Sequence, residues 1–320
     1  MSVTRYVIVG GGVAGTTAAE TIRGLDPAGE ITIFTDEAYP LYSRVMLSKP
    51  QFFLGQIPFA QVYLKPQSWY DERRIRLVTK ARVTRLLPAK RAIKVGRRSV
   101  GYDQLLLATG MQPMPWRVPG ANKIGVHALR GLDDARRIMA RLPQVRSAIL
   151  VGGGFLTFEL AELFVERGVA VTILVREPYY WSLILEPAAG AMVHAAVERR
   201  RVKIRTEDEV LQVLGGRQVT GVLTKQGAKI AGDLVLVSIG AAFDHALVNG
   251  CGLELGRGIC TDEYLQTMFP TIWAAGDTAE YHDLILGERV QMTNWVNAQE
   301  QGRVAGKNMA GQRTPFHFVS

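Results

Sequence analysis

Three glycines at positions 10, 12 and 15 directly follow the apolar run Tyr6-Val7-Ile8-Val9, and their spacing already implies a chemistry. A Gly-x-Gly-x-x-Gly turn lets the backbone bend tightly against a pyrophosphate. The helix after it aims free N–H groups and its positive dipole end at the phosphates. Asp36 ends the next apolar run, about 20 residues beyond the turn, where a carboxylate takes ribose hydroxyls. The pattern returns at Gly152 and Gly154 after Ala148-Ile149-Leu150-Val151, with Thr157 in place of the third glycine. That third position governs helix–strand packing, which a small residue can serve. No acid closes the second unit's next strand, because Val175 and then Arg176 stand there. Arg176 either accepts the 2′-phosphate of NADP or is an exposed turn residue beside Glu177, so NADH and NADPH both stay open.

Other reactive residues are scattered. Cys251 and Cys260 match neither a Cys-x-x-Cys redox pair nor a metal spacing, and read as inert thiols in a reducing compartment. The five histidines, at 127, 194, 245, 282 and 317, show no ligand spacing, so no metal site is expected. No general acid–base pair stands out. The net charge of +9 suits anionic partners without choosing among them. The basic runs Arg73-Arg74-Ile75-Arg76 and Arg199-Arg200-Arg201 lack interleaved aromatics, which argues against nucleic acid. No signal segment or membrane-length apolar run is evident, and a cytoplasmic protein is expected.

The elements that must position the glycine turns follow from periodicity. Each turn lies between a short apolar strand and a helix. The first helix ends near Gly24, before Asp26-Pro27, and the second stops at Gly168. Strands Ile31–Phe34 and Val169–Val175 complete two βαβ units, and hence two parallel-sheet domains. After each unit come alternating strands, over 82–95 in the first half and 210–225 in the second. Buried strands then end at Thr109-Gly110 and at Gly240. Pro113 to Pro119 is the candidate linker. The last part, with a strand over 271–275 and a helix over 297–309, is expected to return to the first domain and complete its site.

Four motifs together resemble the two-dinucleotide-binding-domain flavoproteins of the pyridine nucleotide–disulfide oxidoreductase family. They are Val-Ile-Val-Gly-Gly-Gly-Val-Ala-Gly at 7–15, Leu-Leu-Ala-Thr-Gly at 106–110, Val-Gly-Gly-Gly-Phe at 151–155 and Trp-Ala-Ala-Gly-Asp at 273–277. The resemblance implies an α/β fold of two Rossmann-like domains, each with three layers including a parallel sheet and a β-meander, the second inserted in the first. An FAD-binding domain would comprise 1–115 and 246–320, and an NAD(P)-binding domain 116–245. Gly10, Gly12, Val13, Ala14, Gly15, Asp36 and Glu37 would hold the ADP part of FAD, with Ala108, Thr109, Gly110 and Gly276 nearby and Asp277 on the ribityl chain. Gly152, Gly154, Phe155, Leu156, Glu159, Arg176 and Gly240 would serve NADH or NADPH.

The segment Leu41-Tyr42-Ser43-Arg44-Val45-Met46-Leu47-Ser48-Lys49 has no cysteine, which excludes the family's disulfide chemistry. It is similar to the ferredoxin and rubredoxin reductase branch and to the flavin domain of assimilatory nitrite reductase. So is Thr293-Asn294-Trp295-Val296-Asn297-Ala298-Gln299. Arg44 and Lys49 read as surface charges after a turn or, by this resemblance, as flavin contacts, with Lys49 facing the negative charge of the reduced ring. In that branch Glu159 meets the nicotinamide, and Trp295 is a flavin neighbour or core. The implied activity is hydride transfer from NAD(P)H to FAD, then electron release to an acidic iron–sulfur carrier such as ferredoxin or rubredoxin. Alternatives are a flavin subunit of a larger dehydrogenase or nitrite reductase complex, a redox-sensing flavoprotein like apoptosis-inducing factor, and a quinone reductase. The sequence stops about where the branch's C-terminal interface domain would begin, so that domain is expected to be absent from it, either because the sequence is a fragment or because the protein is a minimal two-domain form.

Overall fold

Tyr6 and Ile8 leave their strand on one side and Val7 and Val9 on the other, and all four are buried. A strand buried on both faces needs a layer on each side of its sheet. In the computed structural model, which describes residues 3–318, both layers are present. Tyr6 and Ile8 pack with Ala18 and Ile22 of helix Val13–Leu25 and with Ala305 and Met309 of helix Trp295–Met309. Val7 and Val9 pack instead with Leu86 and Ile93 from an antiparallel meander of strands Val83–Leu87, Ala92–Val95 and Arg98–Gly101.

The parallel sheet between these layers has five strands, in the order Ile272–Ala274, Gln104–Leu107, Arg5–Val9, Glu30–Phe34 and Ile75–Val78. The strand at Ile272–Ala274 pairs in register with Leu105–Leu107, so the last part of the chain does rejoin the first sheet. Its helix starts at Trp295, two residues before the sequence expectation, because the Asn294 side chain caps it by accepting from the Asn297 N–H at 2.8 Å.

The same layering is built a second time. Five parallel strands run in the order Val202–Arg205, Ala170–Leu174, Ser147–Val151, Leu234–Val237 and Val126–His127. A meander of Val210–Leu214, Gly221–Thr224 and Lys229–Ala231 covers one face, where Ile149 and Val151 pack with Val213 and Val222. Two units result. One consists of Met1–Tyr42, Tyr63–Gln112 and Ala242–Ser320, and the other of Ser43–Val62 and Pro113–Ala241. The short segment 43–62, which carries Arg44 and Lys49, therefore groups with the second unit.

Candidate functional site

In the first unit the glycine turn is fixed by backbone contacts. Gly10 donates to the Phe34 carbonyl at 2.8 Å and holds φ at +118°. A Cβ on it would run into the carbonyl oxygen of Ala108, so only glycine lets strand Arg5–Val9 turn beside the chain leaving Gln104–Leu107. Gly15 is held against the Gly10 carbonyl in the same way. Gly12, the residue capping helix Val13–Leu25, has nothing within 4 Å of its Cβ position. The helix start at Val13 and Ala14 is thus open to a ligand that approaches the backbone closely.

Beside this turn lies a cavity of about 320 Å³ lined by Gly10, Asp36, Arg82, Thr109, Gly110 and Asp244. Arg82 and Asp244 pair on its wall at 3.3 Å. A cavity of this size, with the Asp36 carboxylate on its wall, Asp244 paired to Arg82 and the glycine turn at Gly10 beside it, fits the adenosine end of a dinucleotide. Glu37 is engaged differently, accepting a hydrogen bond from the Tyr42 hydroxyl at 3.0 Å. Gly276 donates to Gln301 Oε1 at 2.7 Å and lies against Ala14, which brings Gly276-Asp277 to the start of the same helix. Trp295, half-buried, opens the last helix.

The second turn repeats the geometry with different supports. Gly152 holds φ at +121°, and a Cβ there would meet the Ser238 carbonyl oxygen. Gly154 caps helix Phe155–Glu166 and again has nothing within 4 Å of its Cβ position. Its carbonyl accepts from the Tyr180 hydroxyl at 2.8 Å. Burial pushes that hydroxyl above the ordinary phenol range. Phe155 at the helix start is exposed and packs its ring at a tilt against Trp181, with centroids 4.7 Å apart, and Trp181 also meets Phe158 at 5.7 Å. Leu156 is partly covered, and the Gly240 carbonyl accepts from the Met114 N–H at 3.0 Å.

On the same helix Glu159 takes two partners from the segment that precedes the unit in sequence. Lys49 Nζ lies 2.5 Å from its Oε1, and the Ser48 hydroxyl donates to its Oε2. Arg44 is directed elsewhere, donating to the Arg130 carbonyl at 3.0 Å. The sequence pointed to Lys49 and Glu159 separately, and the fold joins them. It pointed neither to Ser48 as a partner nor to Arg82 and Asp244 on the cavity wall. The aromatic run Tyr179-Tyr180-Trp181, soon after the second unit's second strand, was the available signal for the brace on Gly154.

Two parallel-sheet units, each opening a helix N-terminus through a glycine turn, define a protein built around two adenine dinucleotides. The chain belongs to the pyridine nucleotide-disulphide oxidoreductase family, whose profile matches residues 4–302. It is 31% identical over 316 residues to a nitrite reductase [NAD(P)H] of Bacillus subtilis (strain 168), covering 98% of this chain and 38% of that protein. It is also 31% identical over 309 residues to the ferredoxin–NAD(+) reductase component of a biphenyl dioxygenase system from Paraburkholderia xenovorans (strain LB400), covering 96% of this chain and 75% of the relative. Among solved structures, a covalent putidaredoxin reductase–putidaredoxin complex matches with a TM-score of 0.93 at 27% identity, over 98% of this chain and 77% of the other. The chain thus spans well under half of the first relative and three quarters of the second.

Proposed function

We propose that this chain is an FAD-dependent NAD(P)H oxidoreductase that passes electrons to a small acidic iron–sulfur carrier, of the ferredoxin or rubredoxin kind. The observation that carries this reading is the pair of open glycine turns, one with a cavity beside it that fits the adenosine end of a dinucleotide. The names of the relatives, a ferredoxin–NAD(+) reductase and a nitrite reductase using NAD(P)H, support it. In this reading residues 1–115 and 246–320 form the FAD-binding domain and 116–245 the nicotinamide-nucleotide domain, with the segment 43–62 packing in the unit of the latter.

FAD, when bound, supplies the conversion of a two-electron hydride into single electrons for the carrier. The chain's own residues do the rest. Gly10, Gly12 and Gly15 present backbone N–H groups from Val13 and Ala14 to the FAD pyrophosphate, with Ala108, Thr109, Gly110 and Gly276 shaping the space around it. Asp36 accepts ribose hydroxyls, with Glu37 beside it, and Asp277 accepts from the ribityl chain. Gly152, Gly154, Phe155 and Leu156 hold the nicotinamide nucleotide, and Gly240 keeps backbone rather than side chain beside it. Lys49 supplies positive charge to offset the negative charge that reduction creates. Glu159 holds Lys49 and positions the nicotinamide, while Arg44 and Trp295 orient the flavin. Cys251 and Cys260 are free thiols, in keeping with a cytoplasmic protein of this kind. Among the described residues no helix is long and apolar enough to cross a membrane.

The test is anaerobic addition of NADH or NADPH to the yellow protein, followed by titration with ferredoxin, rubredoxin and a quinone. Bleaching and then reoxidation by an iron–sulfur carrier is the expected result, and Lys49→Met is expected to slow bleaching by about 10²-fold. Bleaching with transfer to none of them defeats the carrier assignment. A colourless protein that takes up no FAD defeats the whole reading.

A further inference from the structure

The two units share a backbone register that fixes which residues correspond. Gly10 donates to the Phe34 carbonyl and Gly152 to that of Leu174, at 2.8 and 2.9 Å. Thr35 donates to Val78 and Val175 to Arg205, at 3.0 and 2.8 Å. Lys80 donates to the Glu37 carbonyl and Glu207 to that of Glu177, at 2.9 and 3.1 Å. Phe34 and Leu174 are therefore equivalent, and so in turn are Asp36 and Arg176, and Glu37 and Glu177. Where the first unit has the carboxylate of Asp36, the second has a guanidinium. A guanidinium has only donors and cannot accept from the 2′- and 3′-hydroxyls of an unphosphorylated ribose.

Arg176 alone would favour a 2′-phosphate, but it is not alone. Its Nε donates to Glu177 Oε1 at 2.8 Å. The Glu177 side chain is the more enclosed of the two, 25% exposed against 71% for Arg176. The other carboxylate oxygen, Oε2, lies over the glycine turn, 3.9 Å from where a Cβ on Gly153 would be. The side chain nearest to Gly153 is that of Val175, just as the equivalent Thr35 is nearest to the matching Gly11 in the first unit, and the Glu177 carboxylate comes next to it. The nearby cations of this edge are also matched by acids, Arg205 by Asp208 at 3.3 Å and Lys225 by Glu209 at 3.0 Å. A 2′-phosphate brought here would find paired guanidinium groups and an acceptor-only carboxylate aimed at the turn.

We propose that Glu177 is the residue that reads the coenzyme ribose, that Arg176 positions it, and that the chain selects NADH over NADPH. The carboxylate sought at the end of the second strand is thus supplied by the residue after Arg176. This assignment rests on the reading of the second unit as the nicotinamide-nucleotide domain. It deepens that reading by naming the coenzyme.

The test measures binding without electron transfer. ADP-ribose and 2′-phospho-ADP-ribose are titrated calorimetrically into the FAD-loaded protein and into Glu177→Gln and Arg176→Gln variants whose melting temperatures match the parent. ADP-ribose is expected to bind at least about tenfold more tightly than its 2′-phosphorylated form, the scale of one lost hydrogen bond to a charged group plus repulsion. Glu177→Gln is expected to weaken ADP-ribose about tenfold and to narrow the discrimination. Arg176→Gln should weaken ADP-ribose less and leave the order unchanged, which separates positioning from direct recognition. A parent that prefers the 2′-phosphorylated ligand, with the preference lost in Arg176→Gln, overturns this assignment and leaves the oxidoreductase reading intact. A parent preference that survives Glu177→Gln undiminished overturns it as well. Failure of both ligands to bind removes the domain reading, and the ribose assignment falls with it.

Discussion

At the third glycine position the first unit has Gly15 and the second has Thr157, and the two turns are held by different means. A Cβ at Gly15 would strike the Gly10 carbonyl oxygen, so there the helix is drawn tight against the turn. Thr157 carries a Cβ and is almost fully buried, so the second helix must stand slightly further off. The second turn regains rigidity from the side-chain bond that Tyr180 makes to the Gly154 carbonyl. One backbone motif can therefore be closed by packing or by a hydrogen bond, and only the first way requires a third glycine.

Where the two units agree, substitution should be most damaging. Gly10→Ala and Gly152→Ala each force a Cβ onto a backbone carbonyl at a φ that disfavours any other residue. Each is expected to cost about 3 kcal/mol or more, the range of severe single changes. If each turn serves its own nucleotide, Gly10→Ala loses FAD and Gly152→Ala loses ADP-ribose. Flavin content and calorimetric binding of the two variants check this. A Gly152→Ala protein that also purifies without flavin would show that the turns are not separable.

These first glycines were legible because the requirement is written in a residue type: only glycine permits both the φ and the close approach. The doubly buried strands were equally legible, since Tyr6-Val7-Ile8-Val9 has no polar face to offer solvent. The Lys49–Glu159 pair was not, because the contact joins residues 110 positions apart and depends on which way two long side chains turn. Nor was the aromatic brace. Tyr180, Trp181, Phe155 and Phe158 are unremarkable as spacings, and Trp181 adopts φ +62°, which no propensity for tryptophan foretells. The roles of Arg176 and Glu177 were ambiguous for a related reason. Sequence gives their adjacency, but only the fold says which one lies over the turn.

A second comparison lies at the opposite end of each sheet's central strand. Asp103 and Asp233 occupy matching places, each donating its own N–H to the start of that strand, at Arg5 and Ser147. Asp103 is clamped mainly by the Arg5 guanidinium and also by the Arg5 N–H, which lower its carboxyl from 3.8 to about 2. Asp233 has no such cation-led clamp; the Arg146 N–H is the main cause of its lowered value, with Ser147 adding its N–H and hydroxyl. A folded-state carboxyl held below its unfolded value stabilises above the unfolded pKa of about 3.9, and that contribution is lost as pH falls toward the folded value. Denaturant midpoints are therefore expected to fall between about pH 4 and pH 2, and both Asp103→Asn and Asp233→Asn should flatten that slope. Added salt should shrink the Asp103 contribution, whose partner is an exposed cation, and spare that of Asp233. Equal salt sensitivity of the two would mean that the guanidinium, despite its geometry, adds little to the backbone bond.

The smallest expected effect returns to the third glycine position and has the opposite sign. The Thr157 hydroxyl is buried and has no hydrogen-bond partner among the described residues. It shares a small cavity with Leu150, Leu156, Leu160 and Leu236, where Ser238 is the one other polar residue. An unsatisfied buried hydroxyl costs about 1–3 kcal/mol, and valine has the same shape without the polar atom. Thr157→Val is thus expected to raise the melting temperature by about 2–4 °C and to leave nucleotide binding unchanged. Gly15→Val in the first unit should do the reverse, because there the added Cβ meets a backbone oxygen. A lower melting temperature for Thr157→Val would mean that the hydroxyl has a partner in solution, and that the second turn, like the first, is closed by a contact at this position.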